Sequence, residues 1–269
     1  AEPSRLMVNV SGRLTSAGLP RLDLSTGTFA VPNHIDRVLI DVGTYECSEF
    51  YQQIRSEWSD SHPWMRNALV LAFEPTLSSY ETHMRKCAHP QLWLFPAGIA
   101  ETEGTLLIHE SRYPGCNTLS PEGFAGIKGK LGKANRICSV DVQGRAGARG
   151  SGRVPVLPLS LIMSLLPAAM PVSVLKIDAQ GLELQVIRSV GQALRSRVHH
   201  VCLEVQALSA NQSDLMLVRG QPTRSQVDEA MDHSGFDLVG CEWQNLGIRE
   251  QNCVYANRAL HGDANARGE

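Results

Sequence analysis

Acidic residues stand at the ends of four apolar runs along the chain. Asp41, Glu74, Asp178 and Glu204 each close a stretch rich in Val, Ile or Leu, and Gly43 follows the first of them. A carboxylate can accept hydrogen bonds from ribose hydroxyls, and a glycine lets the backbone approach a ligand closely. These residue types in this order are typical of a pocket for an adenosine-containing ligand.

The turn after the first run separates two kinds of adenosine ligand. Residues 41–46 read DVGTYE, with one glycine and a leading acid. A dinucleotide site needs GxGxxG at this point so that the backbone can approach the pyrophosphate. An acid disfavours pyrophosphate and suits a ligand with an ammonium group, so we prefer S-adenosylmethionine over a nicotinamide cofactor. Taken alone, the segment is equally compatible with a structural turn.

The apolar runs predict buried strands that alternate with helices. Strands are predicted at residues 37–42, 68–73, 92–95, 172–177, 201–203, 236–241 and 252–255. Helical segments are predicted at 48–57, from 76 to about 86, and at 182–194. This alternation implies an α/β fold with a mainly parallel sheet covered on both faces. Ligands bind such sheets at the carboxyl ends of the strands, where the acidic residues are expected to lie.

Length and composition exclude several classes of protein. The chain has 269 residues, is 43% hydrophobic and has a formal net charge of −2. A compact chain of this length buries roughly three quarters of its unfolded surface, which excludes a disordered or collagen-like protein. The near-neutral charge excludes a polycation that wraps nucleic acid over its whole surface. Residues 154–175 carry no charge, but their four prolines argue against one membrane-spanning helix.

The cysteines predict a reducing compartment. Seven of them lie at least twelve residues apart, without a CxxC pair. An odd number with no zinc spacing favours free thiols, so we expect a cytoplasmic protein. The adjacent His199 and His200 are expected to precede the fifth strand, at the end of the sheet opposite the ligand.

The segment LKIDAQGLE at residues 175–183 is the most specific motif of the chain. It is similar to LKIDVEGAE, a pattern of the FkbM-type methyltransferase family, which residues 37 to 255 resemble. Residues 73–75 match its FEP, residues 98–105 (GIAETEGT) resemble its AxGDxxGT, and residues 117–119 (NTL) resemble its Asn-Ser-Leu element. The chain departs from the family's DVGANxG at Thr44, Tyr45 and Cys47, and Gln180 replaces the usual Glu.

The resemblance implies a class I, Rossmann-like fold with a seven-stranded sheet, an antiparallel C-terminal strand and helices on both faces. It implies S-adenosylmethionine as cofactor and methylation of hydroxyl groups on sugars or other small molecules. Asp41 and Gly43 are expected at the methionine and ribose end, Glu74 at the ribose hydroxyls, and the Ala97-Gly98 turn at the adenine. The implied cofactor residues are Asp41, Gly43, Thr44, Tyr45, Glu46, Glu74, Pro75, Ala97 and Gly98.

Asp178 and Glu204 are the candidate catalytic residues. A sugar hydroxyl is a poor nucleophile at neutral pH, so a base or a metal should assist it. We expect Asp178 to act as base or orienting group, on a neighbouring strand to Glu204. The two carboxylates could instead hold one Mg²⁺, and Glu204 could simply cap a helix or pair with an arginine. We assign no dedicated metal-ligand cluster.

A basic, glycine-rich segment separates the third and fourth strands. Residues 111–153 carry eight cations, two acids and nine glycines, a net charge of +6 that leaves −8 on the remainder. A mobile basic segment near the substrate entrance would attract an anionic acceptor, such as an acidic glycan or a phosphorylated sugar. RNA is a less favoured acceptor, and a solvated loop without a partner is an equal alternative.

The chain is expected to hold one catalytic domain. We assign residues 1–36 to an N-terminal extension, 37–257 to a methyltransferase domain and 258–269 to a polar tail. A non-catalytic module that binds S-adenosylmethionine remains the alternative from a different class, because the first motif is altered. The sequence does not specify an oligomeric state, and no membrane span is expected.

Overall fold

The computed structural model describes residues 22–23, 25–45, 47–48, 50–51, 65–110, 117–120, 152–206, 221–243 and 250–261. Its strands are β1 (Leu22–Asp23), β2 (Thr28–Phe29), β3 (Arg37–Val42), β4 (Ala68–Phe73), β5 (Leu92–Phe95), β6 (Gly98–Ile99), β7 (Gly104–Leu107), β8 (Arg153–Leu157), β9 (Val172–Ile177), β10 (Val198–Gln206), β11 (Phe236–Trp243) and β12 (Glu250–Asn257). Its helices are α1 (Leu77–Lys86), α2 (Leu159–Leu165), α3 (Glu183–Val190), α4 (Ala193–Arg197), α5 (Arg224–His233) and α6 (Arg258–His261).

A seven-stranded sheet has the order β11-β12-β10-β9-β3-β4-β5. The five strands from β10 to β5 run parallel, and β12 is antiparallel to both β10 and β11. The chain starts in the middle with β3, moves outward to β5 and returns to β9 on the other side. This reversal leaves a crevice at the carboxyl ends of β3 and β9. The predicted α/β fold with a mainly parallel sheet is confirmed.

Alternate residues of the central strands enter two separate apolar clusters. Val38 and Ile40 pack in the larger cluster, which also contains Val186 of α3. Leu39, between them, packs in the smaller cluster, against which Tyr80 of α1 lies. Because successive side chains of a strand point to opposite faces, helices cover both faces of the sheet. The same burial on both faces explains why β4 is apolar throughout.

Several predicted boundaries are wrong. Strand β10 begins at Val198 and continues to Gln206, so it includes His199 and His200, and Glu204 lies two residues before its end. The predicted helix at 182–194 is two helices, because Gly191 adopts a left-handed backbone with φ +64° and ends α3. Helix α6 (Arg258–His261) lies at the start of the expected polar tail and leaves its boundary at residue 258 untested.

The expectation of free thiols is wrong for four of the seven cysteines. Cys47 is disulfide-bonded to Cys87, and Cys241 to Cys253. Cys241 and Cys253 face each other across β11 and β12. Their separation of twelve residues along the sequence did not indicate this pairing. The cysteines therefore give no support for a reducing compartment.

A small sheet has the order β6-β8-β7, and its residues Ile99 and Val156 pack in the larger apolar cluster. It flanks the basic segment at 111–153, most of which lies outside the described residues; residues 117–120 and 152–153 are the described part. No helix within the described ranges is long and apolar enough to cross a membrane.

Candidate functional site

A cleft opens at the carboxyl ends of β3, β4 and β9. Its space not occupied by atoms is about 590 Å³, part of which is open to solvent. Its walls combine apolar side chains with two carboxylates. The lining residues are Val42, Gly43, Tyr45, Phe73, Glu74, Pro75, Thr76, Gly98, Ile99, Ile108, Asn117, Leu119, Asp178, Ala179, Gln180 and Leu182.

Glu74 follows β4 directly and is held in place by backbone groups. Its Oε1 accepts a hydrogen bond from the Thr76 N–H at 2.7 Å, and the Tyr45 N–H also donates to its carboxylate. The side chain is almost fully buried, and burial raises the pKa of Glu74 to about 7. Glu74 is therefore a preorganised acceptor whose charge changes near neutral pH.

The loop after β3 follows the wall of the cleft. Gly43 and Tyr45 line the cleft, and both have left-handed backbones, with φ +83° and +52°. Thr44, between them, is buried on the other side, where its Oγ1 lies 3.3 Å from Nδ1 of His83. The structure therefore places Gly43 and Tyr45 at the candidate site and Thr44 behind it. Glu46 lies outside the described residues.

Asp41 lies within β3 and is wholly buried beneath the cleft. Its Oδ2 accepts a hydrogen bond from Ser48 Oγ at 2.6 Å, and its Oδ1 lies 3.5 Å from Nζ of Lys176. Lys176 is its register partner on β9. We expected Asp41 to line the methionine end of the site, whereas its carboxylate faces the serine and the lysine that hold the loop and the neighbouring strand.

The two candidate catalytic carboxyl groups are linked through Gln180. Its Nε2 donates to Asp178 Oδ1 at 2.7 Å and to Glu204 Oε2 at 3.0 Å. The Gln180 backbone is left-handed, with φ +46°, and its carbonyl accepts from Thr118 Oγ1 at 2.5 Å. A non-glycine residue in this region is uncommon and marks a constrained segment. The structure thus brings Asp178 and Glu204 together, as predicted.

Glu204 also forms a hydrogen bond with Asp178 itself. Burial, the nearby Asp178 carboxylate and that hydrogen bond raise the pKa of Glu204 well above its ordinary range. Two close carboxyl groups cannot readily both ionise, so one proton stays between them. The two groups therefore carry one negative charge between them.

Two further carboxyl groups surround this pair. Glu250 begins β12 opposite Gln206, whose Nε2 donates to its Oε1 at 2.5 Å. Burial and the Asp178 charge raise the pKa of Glu250 to about 7. Burial raises that of Glu183, which lies under the cleft at the start of α3, to about 7 as well. Across the described ranges, no three His, Cys, Asp or Glu side chains are arranged to hold a metal ion.

The far end of the cleft is apolar. Gly98 lines it beside Ile99 and Leu119, while Ala97 is wholly buried behind them. A β-carbon at Gly98 would overlap the Leu119 side chain. Asn117 Nδ2 donates to Thr76 Oγ1 at 3.2 Å and ties this end to the turn after Glu74. Pro75 and Gly98, expected at the cofactor, are thus both in the cleft wall.

Sequence reasoning missed Lys176, His83 and Glu250. His83 and Glu250 contact the site from a helix and a strand that are distant in sequence, and neither belongs to a recognisable spacing pattern. Lys176 lies within the LKIDAQGLE segment but was not singled out. Gln180 was noted only as a departure from the family motif. The sequence signal that could have identified Gln180 as a site residue is the short polar stretch around it, directly after a buried strand.

The chain matches one family model over most of its length. The model described as the methyltransferase FkbM domain matches residues 41–238, a range that includes Asp41, Glu74, Asp178 and Glu204. No curated protein matches the chain.

Solved structures similar to this chain include two methyltransferases and a biosynthetic protein. A methyltransferase FkbM from Methylobacillus flagellatus KT shares 10% identity, with a TM-score of 0.42, over 83% of this chain and 44% of that one. The pyocyanin biosynthetic protein PhzM shares 10% identity, with a TM-score of 0.36, over 84% and 52%. The antibiotic-resistance methyltransferase Kmr shares 14% identity, with a TM-score of 0.37, over 84% and 89%. The chain thus spans about half the length of the first two.

Proposed function

Since this chain belongs to the FkbM methyltransferase family, we propose that it transfers a methyl group from S-adenosylmethionine to a hydroxyl oxygen of a sugar or another small-molecule or glycan acceptor. The methyltransferase domain is proposed to span residues 37–257. The observation that carries the proposal is the placement of two carboxyl groups on one cleft: Glu74 beyond β4 and Asp178 beyond β9.

The chemistry of Glu74 fits a ribose. A carboxylate offers about four acceptor positions, and the N–H groups of Tyr45 and Thr76 together with the Thr76 hydroxyl use three of them. The remaining acceptor position suits a ribose hydroxyl. The same backbone bonds fix the orientation of the carboxylate before a ligand arrives, which reduces the entropic cost of binding.

We assign the remaining contacts by their position along the cleft. Gly43 and Tyr45, with Glu46, would hold the methionine end, and Pro75 and Gly98 the adenine, against the apolar wall. Asp41, Thr44 and Ala97 would support these residues from behind, since all three are buried. This division refines the expected set of cofactor residues without changing its members.

When bound, S-adenosylmethionine supplies a methyl group on a positively charged sulfur, which an oxygen nucleophile can attack in line. Asp178 is the proposed general base and accepts the proton of the acceptor hydroxyl. Gln180 and protonated Glu204 donate hydrogen bonds to Asp178 and hold its carboxylate towards the cleft. Glu204 is therefore proposed as a positioning residue for Asp178.

Magnesium is the less favoured alternative. Mg²⁺ between Asp178 and Glu204 would require both groups to be ionised, because carboxylates bind it through charged oxygens. Binding of Mg²⁺ would therefore have to displace the proton that the two groups share. The proposed acid–base role, in contrast, requires one proton to be shared between Asp178 and Glu204.

The acceptor is proposed to be anionic because of the basic segment at 111–153. Replacing Lys128, Lys130 and Lys133 by glutamine should raise the acceptor KM and reduce its dependence on salt, with little change in kcat. An unchanged KM and salt dependence would remove this part of the proposal.

Labelled S-adenosylmethionine provides the decisive test. The full chain is incubated with it and with a panel of neutral and acidic glycans, nucleotides and RNA, while cofactor binding is measured by calorimetry. We expect binding and label transfer to a hydroxyl of a glycan or small molecule. Label on RNA would favour an RNA methyltransferase, binding without any transfer would favour a non-catalytic module, and absence of binding would refute the proposal.

A further inference from the structure

Helix α1 holds the loop that forms one wall of the cleft. This loop, residues 43–48, hereafter the β3 loop, follows β3 and contributes Gly43 and Tyr45 to the lining. Three of its other residues contact α1 or the residue that follows it. Thr44 and Ser48 meet His83, and Cys47 is joined to Cys87.

His83 bonds to two residues of the loop at once. The Ser48 N–H donates to Nε2 of His83 at 3.4 Å, so that nitrogen is the acceptor. The proton of the neutral ring then lies on Nδ1, which donates to Thr44 Oγ1 at 3.3 Å. Burial lowers the pKa of His83 to about 4 and keeps the ring neutral. Thr44, Ser48 and His83 are all buried, so water cannot readily replace these bonds.

The disulfide closes the same contact covalently. The Cα atoms of Cys47 and Cys87 are 6.0 Å apart, a usual separation for a disulfide. Cys87 is the C-cap residue of α1, and its own N–H donates to the His83 carbonyl. The disulfide therefore fixes Cys47, in the middle of the loop, to a residue one helical turn after His83. His83 itself bonds to Thr44 and Ser48, on either side of Cys47.

The loop conformation depends on this anchorage. Tyr45 has a left-handed backbone, a conformation that is strained for a non-glycine residue. In that conformation its N–H points to the Glu74 carboxylate. Thr44 and Cys47, which contact α1, are two of the positions at which the first motif departs from the family pattern.

We propose that His83 and the Cys47–Cys87 disulfide are positioning residues that preorganise the β3 loop for S-adenosylmethionine. This inference rests on the proposed function, because it names the cofactor of the same cleft. Neither His83 nor Cys87 lines the cleft, so both act through Gly43, Tyr45 and Glu74. Breaking the anchorage should weaken cofactor binding and leave the acceptor side unchanged.

The second disulfide supplies a matched control. Cys241 and Cys253 join β11 and β12 at the far edge of the sheet, and neither strand lines the cleft. The double variants C47S/C87S and C241S/C253S each remove one disulfide from the full chain. Both should lower the Tm, since both release a constraint on the unfolded chain. The two variants should differ in cofactor affinity.

The test measures the Kd for S-adenosylmethionine by calorimetry and hydrogen–deuterium exchange of the β3 loop. For C47S/C87S we expect a Kd raised about tenfold and loop exchange at least tenfold faster, whereas C241S/C253S stays within twofold of wild type. Equal affinities and equal loop exchange in the two variants would overturn the inference.

His83→Ala is a second test that leaves both disulfides in place, and it should raise the Kd and the loop exchange in the same direction. Wild-type protein that fails to bind the cofactor would refute the proposed function. In that case hydrogen–deuterium exchange of the β3 loop would still test whether His83 and the Cys47–Cys87 disulfide hold the loop.

Discussion

The backbone of Gly43 lies directly against the carbonyl group of Asp178. A β-carbon at position 43 would overlap that carbonyl oxygen, and the Gly43 backbone is left-handed, with φ +83°. The Asp178 N–H donates to the carbonyl of Val42 at 2.9 Å. The ends of β3 and β9 are therefore in contact, and the proposed cofactor loop and the proposed base share one wall of the cleft.

Gly43→Ala should destabilise the protein and abolish cofactor binding. A side chain at this position meets backbone atoms that cannot move aside, and alanine resists a positive φ. We expect the free energy of unfolding to fall by about 2–4 kcal/mol, as measured by urea unfolding. Gly104→Ala is the matched control, because a β-carbon there meets no heavy atom within 4 Å. Equal unfolding midpoints for the two variants would contradict the packing argument.

Asp178→Asn should lose turnover and keep the cofactor. Asparagine preserves the shape of the side chain but cannot accept the hydroxyl proton, so kcat should fall about 10²–10⁴-fold. The Kd for S-adenosylmethionine should stay within about twofold, because Glu74 and the β3 loop are untouched. Steady-state kinetics and calorimetry measure the two effects. A variant with normal binding and full turnover would disprove the catalytic assignment.

Glu204→Gln should reduce turnover less than Glu204→Ala. The glutamine amide can still donate a hydrogen bond to Asp178, as protonated Glu204 does, whereas alanine removes the donor. We expect the alanine variant to lower kcat and to shift the pH profile of kcat, with the glutamine variant between it and wild type. Identical pH profiles for the two variants would show that Glu204 does not position Asp178.

Cofactor affinity should increase as the pH rises from 6 to 8. Glu74 binds hydroxyl donors best when it is ionised, and burial raises its pKa to about 7. Below pH 7 the Glu74 carboxyl must lose a proton before it binds the cofactor. The Kd should therefore rise by up to about tenfold for each unit by which the pH falls. Glu74→Gln should bind weakly with a flat pH profile, while Glu81→Gln, on the exposed side of α1, should behave as wild type. Calorimetry across this range supplies the measurement.

Glu183→Gln should stabilise the protein at pH 8 but not at pH 5. Glu183 is fully buried, and burial raises its pKa from 4.5 to about 7 in the folded state. The folded protein then binds more protons than the unfolded chain between these pH values, so stability falls as the pH rises through that window. At pH values above this window the destabilisation by buried, ionised Glu183 is complete. The free energy of unfolding of the variant should then exceed that of wild type by up to about 3 kcal/mol.

Urea unfolding at both pH values measures this difference. Glu229→Gln, at an exposed position on α5, should show no such dependence. A gain for Glu183→Gln that is equal at pH 5 and pH 8 would show that its carboxyl is not shifted by burial.

The sequence was sufficient to predict the central strands and the acids at their ends. The apolar run at β4 is unbroken because both of its faces are buried, and β3 and β9 are mainly apolar, with Asp41 and Lys176 near their ends. This pattern does not depend on the neighbouring strands. Glu74 and Asp178 follow those runs directly, so their place at the carboxyl edge follows from the parallel order alone. The same reasoning located Glu204 correctly in space but not in β10, since strand ends depend on pairing.

The partners of these residues could not be predicted. Asp41 was expected at the ligand, yet it meets Lys176, which is 135 residues away. That contact exists only because β3 and β9 are adjacent with those two residues in register. Cys241 and Cys253 were expected to be free thiols, and register across β11 and β12 pairs them.

The sequence by itself thus determined the fold class, the family resemblance and the acidic edge of the sheet, because periodicity and short motifs are local properties of the chain. Only the tertiary structure decided that Asp41 is buried, that Gln180 joins Asp178 to Glu204, and that α1 holds the β3 loop. These contacts depend on strand order and register, which set the distances between residues far apart in sequence. The protonation of a buried carboxyl follows from those distances, so it too is fixed only after the chain has folded.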